Sequence, residues 1–202
     1  MAASDVTALS TPVNEPYQVA ILGTVLALLT TRYTSSSAAR LEALPLVKQA
    51  RVSRAWPFGA KITIVERAPW GTWQAGDQHY VIDNEGVVLE LPAPAGSPVI
   101  MQTDPGNAPG QGQPVDRGAI DVAQKLATTS QQTLGRSVTA FEFSQAAGLT
   151  AVFDNGLRVI FGDAQGYGFK LATLFALLKK AQNDGNDLHS VDLRFGNLVS
   201  VQ

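Results

Sequence analysis

The stretch that decides the fold is Leu44–Glu66, LPLVKQARVSRAWPFGAKITIVE, with Arg67, Pro69 and Trp73 just beyond it. It reads as the end of a helix, a turn at Pro45, and two short amphipathic strands joined through Trp56-Pro57. In the first strand Ala50 and Val52 fall on one side and Arg51 and Ser53 on the other. In the second, Ile62 and Ile64 alternate with Lys61, Thr63 and Val65. Alternation with period two marks a half-buried strand. Pro57 has no N–H and holds Trp56 extended, so it belongs at a connection rather than in a strand centre. The pattern forces no catalytic group. It describes a small α/β module with a usable sheet edge.

Upstream, a first strand is expected around Val6–Leu9, followed by a helix capped by Thr11 or Asn14 that runs through Tyr17, Ile21 and Leu22. Val19–Leu29 is an apolar run of 11 residues. A membrane-spanning helix needs about 20. The run also lacks the basic segment that precedes the apolar part of a secretory signal. It is read as buried helix plus connection. Thr34–Ser37 breaks the chain before a second helix, Ala38–Leu44, with Leu41 and Leu44 on one face.

The chain's 202 residues suffice for one large domain or two small ones. A net charge of -2 gives no basic footprint, so nucleic acid is not an expected partner. The absence of cysteine removes disulfides, thiolate metal sites and cysteine nucleophiles, and it fits an extracytoplasmic compartment. His79 and His189 lie far apart in sequence and read as surface residues.

Downstream, Tyr80–Val88 forms a hairpin around Asp83-Asn84-Glu85-Gly86. From Leu91 to Gly118 the prolines 92, 94, 98, 105, 109 and 114 are interleaved with glycines, which excludes a continuous helix or a central strand and reads as an interdomain connection. Asp116 caps a helix with Ile120, Ala123, Ala127 and Leu134 on one face, ending at Gly135. Strands Val138–Phe143, Leu149–Phe153 and Leu157–Phe161 follow. The turn Asp154-Asn155-Gly156 allows two registers. A two-residue turn pairs Phe153 with Arg158. A three-residue loop with Gly156 left-handed pairs Phe153 with Leu157, Ala151 with Val159 and Leu149 with Phe161, and it is favoured because it keeps the apolar set on one face. A helix over Gly168–Ala181 carries Leu171, Leu174, Phe175 and Leu178, with Lys179 and Lys180 in its last turn and Gly185 after it. Strand material at 189–195 and 198–201 closes the chain.

These segments resemble the FtsQ/DivIB bacterial cell-division family. The resemblance rests on Leu44-Pro45-Leu46-Val47, Ala50-Arg51-Val52, Arg54-Ala55-Trp56-Pro57 and Glu66-Arg67-Ala68-Pro69, in order and closely spaced. It continues in the Tyr80–Val88 hairpin, in Gly156-Leu157-Arg158-Val159 through Gly162, and in Val191-Asp192-Leu193-Arg194-Phe195. It implies an α+β chain: a small POTRA domain (β-α-α-β-β) over residues 1–91, then a mixed, mainly antiparallel β-domain with two helices over 92–202, with the Pro/Gly-rich connection at about 92–115. Trp56 is expected in the POTRA core, and Trp70 and Trp73 over the junction with the next domain. The family is normally anchored by one N-terminal transmembrane helix. The chain reads as its ectodomain, without that helix.

No catalytic constellation emerges. Glu66, Asp83, Glu85, Asp154, Asp163 and Asp192 are scattered over turns and strand ends, and Gly106–Gly112 lacks the lysine and spacing of a phosphate loop. No metal site and no cofactor is expected. The resemblance implies a non-enzymatic scaffold of the divisome, on the extracytoplasmic face of the cell membrane at the septum. Its expected partners are FtsB/DivIC and FtsL, and septal peptidoglycan synthase components are further candidates. It implies capture of the partner by strand addition to the C-terminal edge, which here corresponds to Arg194, Phe195, Asn197, Leu198, Val199, Ser200 and Val201. The alternative is a POTRA-type chaperone or polypeptide-binding module of the envelope.

Overall fold

In a computed structural model the described residues are 17–22, 38–55, 59–105, 108–194 and 200–201. The chain divides into two units, Met1–Arg67 and Ala68–Gln202.

The first unit contains β1 (Tyr17–Leu22), α1 (38–42 in its described part), β2 (Val47–Ala55) and β3 (Gly59–Glu66). The three strands form an antiparallel sheet in the order β1-β3-β2. The two strands legible around Trp56-Pro57 are β2 and β3, in the register Ala50↔Ile64 and Val52↔Ile62. Trp56 itself and the expected strand at Val6–Leu9 lie outside the described residues. Tyr17–Leu22, expected as helix, is a strand, with Val19 opposite Ile62. Tyr17, Val19 and Ile21 alternate with Gln18 and Ala20, and aromatic and β-branched residues suit the extended chain. Leu44, expected as the end of the second helix on one face with Leu41, lies past α1 and is exposed.

The second unit is built on one nine-stranded sheet in the order β12-β11-β10-β9-β8-β7-β4-β5-β6. Its strands are β4 (Pro69–Ala75), β5 (Gln78–Asp83), β6 (Val88–Leu89), β7 (Val99–Gln102), β8 (Val138–Ser144), β9 (Gly148–Phe153), β10 (Arg158–Gly162), β11 (Ser190–Asp192) and β12 (Ser200–Val201). Helix α2 (Arg117–Leu134) crosses from β7 to the parallel neighbour β8, and α3 (Tyr167–Asp184) crosses from β10 to the parallel neighbour β11. The remaining pairs are antiparallel apart from β4–β7, so the sheet is mixed and mainly antiparallel.

The boundary therefore falls at Arg67/Ala68 rather than at residue 91. The Tyr80–Val88 hairpin belongs to the second sheet, because Trp73, Ile82, Val88 and Ile100 are buried in its core. The Pro/Gly-rich stretch is not simply a connection either. Between Pro98 and Pro105 the four residues Val99–Gln102 form β7, in parallel register between β4 and β8. Proline forbids ladder bonds only at its own position, and a strand this short fits between two of them.

One face of the sheet carries Phe141 and Phe143 of β8, Leu149, Ala151 and Phe153 of β9, Val159 and Phe161 of β10, and Val191 of β11. All are buried in a single core with Ile120, Val122, Ala123 and Leu126 of α2 and Leu174 of α3. Fully burying one such side chain stabilises by about 1.5–3 kcal/mol. Asp116 caps α2 through a bond from the Ala119 N–H at 2.7 Å, and left-handed Gly135 ends it. Ala127, expected on the buried stripe, is exposed, and Leu126 takes the core position. Phe175 of α3 is likewise exposed while Leu174 is buried.

At the β9–β10 turn Gly156 has φ +82° and the Phe153 N–H bonds to the Leu157 carbonyl at 2.9 Å. This is the three-residue loop, with Ala151 opposite Val159. The register then shifts between Ile160 and Gly162, so Leu149 pairs with Gly162 instead of Phe161. Among the described residues no helix is long and apolar enough to cross a membrane.

Candidate partner-binding edge

The candidate site is the β12 end of the nine-stranded sheet. It is held by β11, whose Val191 is fully buried, and by Leu193, also buried, whose N–H bonds to the Ile160 carbonyl at 2.9 Å. β12 lies antiparallel on β11, with Val201 opposite Val191 and Ser200 opposite Asp192, and is last in the strand order.

Arg194 fixes the turn where the chain leaves β11. Its guanidinium clasps Asp192: Nη2 to Oδ2 at 2.7 Å and Nε to Oδ1 at 3.0 Å. Nη1 reaches the Ala146 carbonyl at 3.1 Å in the β8–β9 turn. These hydrogen bonds hold the Asp192 carboxyl below its ordinary range, against a smaller opposing effect of burial. Beneath the arginine, a Cβ added at Gly162 would stand 3.0 Å from Arg194 Cγ, and one at Gly148 would stand 2.6 Å from the Gly162 backbone. Both glycines have positive φ. The two bare backbones pack against each other and against the aliphatic stem of Arg194, so a Cβ at Gly148 would overlap the Gly162 backbone and one at Gly162 would press on that stem in a left-handed conformation.

Of the residues expected at the site, Arg194, Ser200 and Val201 come together on neighbouring segments of the sheet end. Phe195, Asn197, Leu198 and Val199 lie outside the described residues. Arg194 emerges with internal partners, Asp192 and Ala146.

Sequence reasoning missed Lys170. It is 8% exposed, and its Nζ donates to the carbonyls of Phe161 at 2.8 Å and Asp163 at 2.9 Å and to Asp163 Oδ1 at 3.1 Å. Those bonds pin the end of β10 to α3 and lower the Asp163 pKa. Its signal was positional: Lys170, Leu174 and Leu178 are spaced by four, so the lysine interrupts an apolar stripe. Trp73 also departs from expectation. It is a core residue of the second unit, 5.0 Å from the Phe143 ring, with Nε1 bonded to Gln102 Oε1 at 3.0 Å.

Asp83 and Asp154 bond to backbone within the fold. Asp83 Oδ1 accepts the N–H groups of Glu85 and Val87 at 2.8 Å each, closing the hairpin, and Asp154 Oδ2 accepts the Ser137 N–H at 3.1 Å.

At the opposite end of the sheet, the outer side of β6 is already used. The Val88 N–H bonds to the Gln113 carbonyl at 3.0 Å and the Gly112 N–H to the Val88 carbonyl at 2.9 Å, while the Val115 N–H bonds to Gly86. The proline-rich segment thus covers one edge, and among the described residues β12 is the last strand at the other.

Residues 71–194 match the family described as Cell division protein FtsQ/DivIB, C-terminal. The chain belongs to the FtsQ/DivIB family. Proteins named Cell division protein FtsQ are similar to it in distant bacteria. That of Chloroflexus aggregans is 32% identical over 153 residues, covering 74% of this chain and 54% of the relative. Those of Mycobacteroides abscessus and Escherichia coli are each 30% identical, over 146 and 159 residues, covering 72% and 78% of this chain and 44% and 55% of the relatives. The chain spans about half the length of these curated relatives. The family match lies wholly within the second unit, whereas the pairwise likenesses cover more of the chain than that unit holds and so extend into the first. Membership places the chain in a family of bacterial cell-division proteins.

Proposed function

We propose that this FtsQ/DivIB chain is a non-enzymatic scaffold that holds FtsB/DivIC and FtsL on the extracytoplasmic face of the cell membrane at the septum. The first unit is its POTRA domain. The partner is captured by strand addition to β12 at the C-terminal edge.

What supports this reading is the inequality of the two sheet ends. β6 has its outward backbone groups bonded to the 112–115 segment, while β12 ends the order on a rigid corner clasped by Arg194 and Asp192. Strand addition draws its affinity from such backbone groups and its specificity from alternate side chains. Each hydrogen bond adds only about 0.5–1.5 kcal/mol net, and ordering a disordered partner costs about 2–5 kcal/mol. Several bonds are therefore needed, together with an apolar anchor such as Phe195.

Calorimetric titration with an extracytoplasmic peptide of the FtsB/DivIC type tests this. Consecutive residues on a strand direct their N–H groups to opposite sides, so Ser200→Pro and Val201→Pro act on different bonds. One removes the outward donor, and the other loosens β12 from β11. The parent is expected to bind and both folded variants to lose at least about tenfold in affinity. Equal binding by all three chains places the partner elsewhere and sinks the reading.

A further inference from the structure

Helix α3 is apolar on more sides than the core uses. Ten of its 18 residues are apolar, yet only Lys170 and Leu174 are buried. Leu171, Leu177 and Leu178 pack partly against the core. The opposite face is exposed and carries Gly168, Phe169, Ala172, Phe175 and Ala176. Phe169 is 55% exposed and Phe175 49%. A surface helix normally turns polar and charged residues outward. Two phenylalanines and three small residues on an outer face leave apolar area for a second surface to cover.

The order of these residues says which surface. It is symmetric about Ala172. Residues three and four apart are neighbours on a helix, so Phe169 and Phe175 flank Ala172 at three positions on either side, and Gly168 and Ala176 at four. An antiparallel second copy, related by a two-fold axis at Ala172, places Gly168 level with Ala176 of that copy and Phe169 level with its Phe175. Such a self-complementary contact closes on itself. Hydrogen and methyl side chains let the two backbones approach, and the four rings surround the contact. The same relation brings Lys179 and Lys180 level with residues 165 and 164 of the second copy, beside its Asp163. The Asp163 side chain is 66% exposed, and its bonds to Lys170 and to the Gln165 N–H both use Oδ1. Antiparallel helices also oppose their dipoles. A lipid surface fits this face less well. Residues 1–67 hold seven basic and four acidic side chains, whereas residues 68–202 hold eight and thirteen, so the second unit is repelled by anionic headgroups.

We propose that the outer face of α3 is a self-association surface, on which two copies of this chain pair antiparallel about Ala172. The pairing uses neither β12 nor the Arg194 corner. A buried aromatic side chain covers about 150–250 Å², so four half-exposed rings remove roughly 400 Å² from water. A stable interface buries about 1,200–2,000 Å². The pairing is therefore weak and depends on concentration.

The full chain contains no cysteine, so single-site oxidation reads the geometry. In Ala172→Cys the two sulfurs meet at the axis, and mild oxidation is expected to give a disulfide dimer. In Ala176→Cys the paired Cα atoms stand about 12 Å apart along the helices, beyond the roughly 7 Å that a disulfide spans. That variant should stay monomeric alone and cross-link when mixed with Gly168→Cys. In sedimentation from about 10 µM to about 1 mM, the parent's mass should rise from 21.4 kDa toward twice that value. Phe169→Glu and Phe175→Glu alter exposed side chains and should weaken pairing at least about tenfold, with circular dichroism unchanged. The cysteine series decides the question should either glutamate variant unfold. The proposal is overturned if the parent stays monomeric throughout, or if Ala176→Cys alone cross-links as fast as Ala172→Cys. Glutamate variants that dimerise like the parent would move self-association to a strand edge and overturn it too. So would loss, in those variants, of binding to phosphatidylglycerol vesicles by a parent whose mass never rises, since the face would then be a lipid contact.

Discussion

The two ends of the nine-stranded sheet are made of the same backbone yet have opposite fates. At β6 the outward N–H and C=O of Val88 are bonded to Gly112 and Gln113, and Val88 and Leu89 are buried. At β12 the chain lies last in the strand order among the described residues, beside a corner held by the Arg194–Asp192 ion pair and close-packed glycines. An uncovered strand edge invites pairing. The Pro/Gly-rich stretch that reads as a linker is thus an edge cover. Its composition suits that role, since prolines wrap an edge without offering a new ladder of donors. The contrast teaches that a sheet edge is closed by the segment that bonds to it, as residues 112–115 do at β6, and not by the strand's own residues.

The strongest way to break the contrast is at the β12 corner. Gly148→Ala would force a Cβ against the Gly162 backbone at 2.6 Å and hold alanine at φ +69°. Left-handed strain of about 1–2 kcal/mol and overpacking of about 1–3 kcal/mol add to an expected loss on the order of 4 kcal/mol. Urea unfolding of the second unit measures it. A loss under about 1 kcal/mol would mean that the corner is not a rigid support for β12.

Next in size, Val88→Pro removes a donor that Gln113 accepts and part of a buried side chain. The expected cost is about 3 kcal/mol, from an unsatisfied carbonyl and lost apolar burial. Hydrogen exchange sharpens the comparison further: Val88, Gly112 and Val115 should be protected well beyond Ser200 and Val201 in the unliganded protein. Fast exchange at Val88 would show that β6 is no better covered than β12.

The smallest effect comes from the Asp192 clasp. Its hydrogen bonds to Arg194 lower the folded-state pKa of Asp192 below the unfolded value. That stabilisation is complete above the unfolded value of about 3.9 and is lost as pH falls through the lower folded value. Asp192→Asn should cost about 1 kcal/mol or less at neutral pH, as exposed and partly exposed pairs do. Its melting temperature should also fall less steeply than the parent's between about pH 4 and pH 2. Parallel acid profiles for parent and variant would assign no role to the clasp.

Much of the fold was legible because it rests on local rules. Strands β2 and β3 follow from alternation at Ala50, Val52, Ile62 and Ile64. The start and end of α2 follow from Asp116 and Gly135, and the β9–β10 register follows from the one-face requirement on Phe153 and Leu157. Tyr17–Leu22 misled because an apolar run of that length fits a helix or a strand equally, and pairing with β3 decides between them. Of the site, the strand material around Val191 and Val201 was readable from its apolar alternation, but the clasp between Asp192, Arg194 and Ala146 was not. Ala146 lies 48 residues from Arg194, and nothing in a carbonyl's sequence context marks it as an acceptor.

By itself, then, the sequence determined the period of β2, β3 and β8 to β10, the caps of α2, the excess of basic residues in the first unit and the membership of the family. Those properties depend on neighbours within a few positions or on the chain as a sum. Only the tertiary structure decided where the units divide, that Val99–Gln102 is a strand between β4 and β8, that Lys170 is buried among carbonyls, and which sheet edge is covered. Each of these depends on backbone hydrogen bonds between distant segments. All residues except proline carry the same N–H and C=O groups, so the choice of partner is written in the packing and not in the letters.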